Sequence, residues 1–177
     1  LFIRKKVIDK EELDRCIKHL RDREYMSGVE RDRLRIKQTS EIFTPTALVR
    51  EILDQLPQEL FSDPEKTICD PAGCGDGQFL SEAVIRKLEN GLTLEQALST
   101  TYGVELMMDN VLLCRERLLC GYEEYRHIVT RNIVCHNGLT YDFSFNGTDM
   151  TDEELEKHKL LTDAKAAMKK KYNRSWM

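Results

Sequence analysis

Apolar side chains recur at helical spacing through the first part of the chain: Leu13, Ile17 and Leu20 stand amid charged residues, and Leu34 and Ile36 follow a break near Ser27 and Gly28. This predicts a helical arm over 1–38, too polar to be a core element throughout. In "TSEIFTPTALVREILDQLP", Pro45 fixes a turn and Thr44 or Thr46 is placed to cap a helix. Leu48, Val49, Ile52, Leu53 and Leu56 form its apolar face, and "PQELFSDPEK" then reads as a polar connector.

Three short apolar runs read as strands: 67–69, ending at Asp70; 102–106; and 133–135. Between them the period becomes helical. A helix is predicted over 78–88, with Gly91 as its stop. Thr93 and Gln96 fit a capping box for a second over 94–99. A third covers 109–119, stopped by Gly121. After the third strand, Tyr141, Phe143 and Phe145 alternate with polar residues. The tail, 151–177, opens on a Thr151 and Glu154 capping box and runs from acidic to basic, as the helix dipole prefers.

Strands that alternate with helices pair in parallel through right-handed crossovers. The expected fold is α/β, a partial parallel sheet flanked by helices, Rossmann-like, with a helical arm at 1–38, the sheet domain at 39–150 and a terminal helix at 151–177. Three strands are about half of a doubly wound sheet. The third should have an open edge, covered by the tail helix or by a second copy of the chain.

Composition narrows the setting. A third of the 177 residues are charged (33%), the net charge is −4 and the mean hydropathy is −0.50. No apolar run approaches the roughly 20 residues of a membrane span. The chain starts on Leu and turns charged within a few residues, which fits a fragment or processed product better than a signal peptide. Six cysteines include no C-x-x-C pair, so zinc is not expected, and a reducing, cytoplasmic setting is. Cys69 and Cys135 read as small core residues. Basic clusters at Arg31, Arg33, Arg35 and Lys37, and at Lys169, Lys170 and Lys171, read first as solvated helix faces.

The chemistry gathers at "ICDPAGCGDGQFL", residues 68–80. Gly73, Gly75 and Gly77 follow a strand and precede a helix, at the strand end where open α/β sheets bind ligands. Glu105 ends the next strand, where a carboxylate can accept both ribose hydroxyls of an adenosine. Neither a dinucleotide fingerprint nor a Gly-Lys-Ser/Thr phosphate loop is present. Asp70 stands directly before the turn instead, which suits a ligand with a positive amino group, such as the methionine end of S-adenosylmethionine.

Four segments resemble the amino-terminal half of adenine-N6 DNA methyltransferases, the group that includes type I modification subunits. "EIFTPTALV" resembles the family's G-x-F-x-T-P segment, and "DPAGCGDGQFL" its D-P-x-x-G-x-G-x-F-L. "YGVEL" and "NIVCHNGLTYDFSF" resemble its second- and third-strand motifs. The resemblance covers about 41–145. It implies that Phe43, Thr44 and Pro45 lie by the cofactor, and that Asp70, Pro71, Gly73 and Gly75 hold its methionine part. It also implies that Glu105 binds the ribose, that Leu106 packs on the adenine, and that Asn137 accepts from the adenine amino group where the family usually has Asp.

The family's N/D-P-P-Y/F/W segment, which works on the flipped base, has no counterpart here: the prolines are Pro45, Pro57, Pro64 and Pro71, none adjacent. No catalytic residue is assigned, and Tyr141 and Trp176 read as packing residues. The expected function is the S-adenosylmethionine-binding portion of a site-specific DNA adenine-N6 methyltransferase of restriction-modification type. DNA would be contacted mainly by parts outside this chain, and a partner chain or further segment would carry the catalytic motif. A homo-oligomer is also compatible. The alternative is a non-catalytic methyltransferase-like binding or regulatory module.

Overall fold

A computed structural model describes residues 8–22 and 44–158. The described residues fall into two compact units, 8–22 with 44–148 and, separately, 149–158. The first unit runs α1 (Lys10–Arg21), α2 (Thr46–Asp54), α3 (Glu59–Ser62), β1 (Ile68–Asp70), α4 (Gln78–Glu89), α5 (Leu94–Ser99), β2 (Thr101–Glu105), α6 (Met108–Leu119), α7 (Arg126–Asn132) and β3 (Ile133–Cys135). In the second unit, a helix over 152–158 opens on the expected box: Thr151 N–H donates to Glu154 Oε2 (2.8 Å) and Glu154 N–H to Thr151 Oγ1 (3.3 Å). The rest of the tail, with its lysines and Trp176, lies outside the described residues, as does 23–43 with its basic cluster.

The strands form one parallel sheet in the order β1-β2-β3. Asp70 pairs with Gly103, and Glu105 with Cys135, so the carboxyl ends of the strands are adjacent. Both connections step the same way along the sheet, and right-handed crossovers then place α4 and α6 on one face, where they pack together. Gly103 is on that face: an added Cβ would lie 2.7 Å from Leu80 Cδ1 of α4. Cys69 and Tyr102, paired in register, point to the other face.

Helix α4 is the hub, packed on α1, α2, α3, α5, α6, β1 and β2. Leu80, Ala83, Val84, Ile85 and Leu88 are sealed from solvent. Buried cations and amides hold the amino-terminal side of the sheet. Lys87 Nζ donates to the carbonyls of Lys66 (3.2 Å) and Thr100 (2.9 Å). Arg115 donates to the carbonyls of Thr130 (3.2 Å), in the last turn of α7, and Ile133 (2.6 Å), the first residue of β3. Asn132 Nδ2 donates to the Leu98 carbonyl at 2.9 Å.

Several expectations are corrected. Strands β1 and β2 are displaced by one residue, and α3 and α7 were not anticipated. Of the apolar face of α2, Val49 and Leu53 pack with Phe61 and Ala83, while Leu48, Ile52 and Leu56 stay exposed. Neither Thr44 nor Thr46 caps α2; Pro45 holds the N-cap position, and the Thr46 hydroxyl accepts from Gln78 Nε2 at 2.7 Å. Cys69 is exposed, because it lies on the sheet face away from α4, whereas Cys135 is buried. Every residue of β3 is buried and β1 is less covered, while the tail beyond 158, expected to cover the edge of β3, lies outside the described residues. At the end of α6, Cys120 takes the left-handed conformation one residue before Gly121.

The alternating aromatics do not form a strand. Phe143 and Phe145 have positive φ (57° and 45°), which folds the segment into a knot of rings. Tyr141 stacks on His136 (4.5 Å between centroids) and meets Phe145 edge-on (5.4 Å). Phe145 reaches Tyr102 at 4.7 Å and so covers part of the second sheet face. No helix among the described residues is long and apolar enough to cross a membrane, and no group of His, Cys, Asp and Glu among them could hold a metal ion.

Candidate functional site

The glycine turn fills the step from β1 to α4. Gly73, Gly75 and Gly77 all have positive φ, and Gly77 is the N-cap of α4. A side chain at Gly77 would strike Cys114 Sγ at 2.6 Å, so close approach as well as backbone angle requires glycine there. The turn is bolted to the end of β2. The amides of Gly73 and Cys74 donate to the Val104 carbonyl (2.9 and 3.1 Å), and that of Gly75 to Glu105 Oε2 (2.8 Å). The other Glu105 oxygen accepts from Met107 N–H at 2.8 Å. Glu105 is buried, and each of its oxygens holds one backbone amide.

Asp70 is half-buried at the end of β1. Burial raises its carboxyl above the usual range; the Ala72 amide pulls the other way, and the neighbouring Glu105 charge raises it further. Two acidic groups therefore crowd one rim. A ligand bringing positive charge or hydroxyl donors would relieve both the desolvation and the repulsion. A carboxylate oxygen offers two acceptor positions, so Glu105 retains capacity for a donor despite its backbone bonds. The rim thus offers acceptors to a ligand that carries an ammonium group or hydroxyls.

The sheet brings Asp70, Pro71, Gly73, Gly75, Glu105 and Leu106 to one end. Leu106 is half-buried, and its carbonyl accepts from the Cys135 thiol at 3.4 Å. Asn137 is turned inward on its own loop: its Oδ1 accepts from Leu139 N–H at 3.0 Å. The following residue closes that loop onto the turn. An added Cβ on Gly138 would collide with the Pro71 carbonyl oxygen and lie 2.9 Å from Ala72 Cα. Thr44 and Pro45 enter α2, whose first residue, Thr46, is hydrogen-bonded to the first residue of α4. Phe43 lies outside the described residues.

Sequence reasoning missed the Met107 amide, the Thr46–Gln78 bond and Gly138. Only Gly138 left a signal, as a glycine just after a strand. No family model matches the chain, and no curated protein or solved structure matches it.

Proposed function

We propose that this chain is the S-adenosylmethionine-binding portion of a site-specific DNA adenine-N6 methyltransferase, with the base-handling segment supplied by another part of the enzyme or by a partner chain. The observation that carries the reading is the acidic rim: Asp70 and Glu105 stand on neighbouring parallel strands around a turn of positive-φ glycines. Asp70, Pro71, Gly73 and Gly75 would hold the methionine end, Glu105 the ribose, and Leu106 and Asn137 the adenine. Phe43, Thr44 and Pro45 would border the site. When bound, the sulfonium supplies the methyl group for direct transfer to N6; the residues here bind and orient.

The test is a calorimetric titration with S-adenosylmethionine, with Glu105→Ala and Asp70→Asn as controls. Micromolar binding lost in both variants supports the reading. A folded chain that binds nothing turns it down in favour of the second reading, a non-catalytic methyltransferase-like module. One observation favours that alternative: Gly138 rests directly on the Pro71–Ala72 backbone, so the loop after β3 packs on the start of the turn.

A further inference from the structure

Four of the six cysteines meet as two thiol pairs that sequence spacing hides. Cys74 and Cys114 are both buried beneath the glycine turn, where a Cβ at Gly77 would lie 2.6 Å from Cys114 Sγ and one at Gly103 2.9 Å from Cys74 Sγ. Cys16 of α1 and Cys120 at the end of α6 form the other pair. The left-handed backbone at Cys120 (φ 52°) turns its side chain toward α1, with Sγ 4.0 Å from the Cys16 carbonyl oxygen. Cys16 is 1% exposed, but Cys120 keeps a solvent-facing part, so the pair has an outer and an inner member.

The surroundings of Cys16 are those of a reactive thiol rather than of a core filler. The Cys120 thiol and, less strongly, the Arg15 charge and the Tyr122 hydroxyl hold its thiol below the ordinary value, against burial and the Glu12 charge. Arg15 Nη2 donates to that same hydroxyl at 3.2 Å, which brings a guanidinium to the cluster. These donors favour the thiolate of Cys16, the Cys120 hydrogen bond most of all, and outweigh burial and the Glu12 charge; the proton is kept on Cys120. In the other pair, Cys114 and burial push the Cys74 thiol up.

We propose that Cys16 and Cys120 are an oxidation site, forming a reversible disulfide that ties α1 to the end of α6. With a peroxide as oxidant, the Cys16 thiolate attacks one peroxide oxygen. The O–O bond breaks, and the departing hydroxide takes up a proton as water. The resulting sulfenic acid is attacked at sulfur by Cys120, whose thiol proton leaves with the hydroxyl as a second water. Two thiols and one hydrogen peroxide thus give one disulfide and two waters, and a dithiol reductant reverses the change. Because the two residues are far apart in sequence, the crosslink closes a long loop and should raise thermal stability.

The experiment uses the full chain carrying Cys69→Ser, which removes the exposed competing thiol. Treat it with hydrogen peroxide, unfold it in an alkylating reagent, and map the peptides by mass. The expected result is one crosslinked peptide pair holding Cys16 and Cys120, lighter by two hydrogens, while Cys74, Cys114 and Cys135 are alkylated. The oxidised chain should melt several degrees higher, and a dithiol should return it to the starting value. Cys120→Ser, at a partly exposed helix end, should abolish both changes without unfolding the chain, and Cys16→Ala should do the same. Crosslinking of Cys74 to Cys114 first, or oxidation that leaves Cys16 and Cys120 alkylated, would overturn the assignment.

Discussion

The amide of Gly75 donates a 2.8 Å hydrogen bond to the carboxylate of Glu105. One residue thereby holds the glycine turn against β2 and, through its other oxygen, holds Met107 at the start of α6. Glu105→Ala should lower stability by about 1–3 kcal/mol, since two part-buried amides lose their acceptor. Glu105→Gln should do little better, because its amide group can accept only on the oxygen side. Chemical denaturation reads the first effect. Titration with S-adenosylmethionine reads the second, as a loss of at least tenfold in affinity on the proposed function.

Gly138 offers a purely steric test. Its methyl would overlap the Pro71 carbonyl, which is backbone and cannot step aside. Gly138→Ala should therefore cost about 1–3 kcal/mol. The loop after β3 should also shift off the glycine turn, seen as faster amide exchange at Leu139 and Thr140. If Gly138→Ala tightens cofactor binding while lowering stability, the loop restricts the site.

Lys87 is sealed among carbonyls, and burial lowers its ammonium from the ordinary 10.5 to about 8. The charged form is thus disfavoured in the folded chain. Below about pH 8 both states are protonated and the penalty is fully present. Between about 8 and 10.5 the unfolded chain holds more protons, so stability should rise with pH by up to about 3 kcal/mol. Urea melts across this range should show the rise, and Lys87→Met should remove it.

An ion pair joins α2 to α4. Arg50 Nε and Nη2 each donate to Glu82 at 3.1 Å, and Arg21 of α1 lies 3.5 Å from the same carboxylate. The partners are unequally buried: the Glu82 side chain is 6% exposed and that of Arg50 44%. Removing Arg50 leaves a buried carboxylate with only the more distant arginine, whereas removing Glu82 leaves arginines that water can reach. Arg50→Ala should cost about 1–3 kcal/mol, and more than Glu82→Gln. Equal losses in thermal melts would mean that the pair acts through packing instead.

Much of the fold was legible because it is written locally. The Thr93 box, the glycines around α4 and the apolar triplet of β3 each announce an element from their own neighbours. The one-residue offset in β1 and β2 arises because strand limits are set by pairing across the sheet. Helix α7 escaped notice because much of what holds it comes from Arg115 and Leu98 elsewhere in the chain. The alternation of the aromatic triplet carried no sign of the positive φ at Phe143 and Phe145 that brings its rings together. At the site, Asp70, the glycines and Glu105 could be found from order alone. That Glu105 braces the turn, and that Gly138 lies on Pro71, depends on chain segments far apart in sequence.

The central place of α4 sets a hierarchy of motion. Every element packed on it must loosen before its amides can exchange, so α4 should open only with the unit as a whole. The glycine turn begins on the slowest-exchanging part of the molecule and inherits its rigidity. The loop after β3 leaves the same carboxyl end of the sheet, outside any helix or strand, and should exchange faster. One wall of the candidate site should thus open only with the whole unit, and the wall facing it should open on its own once Gly138 lifts off Pro71.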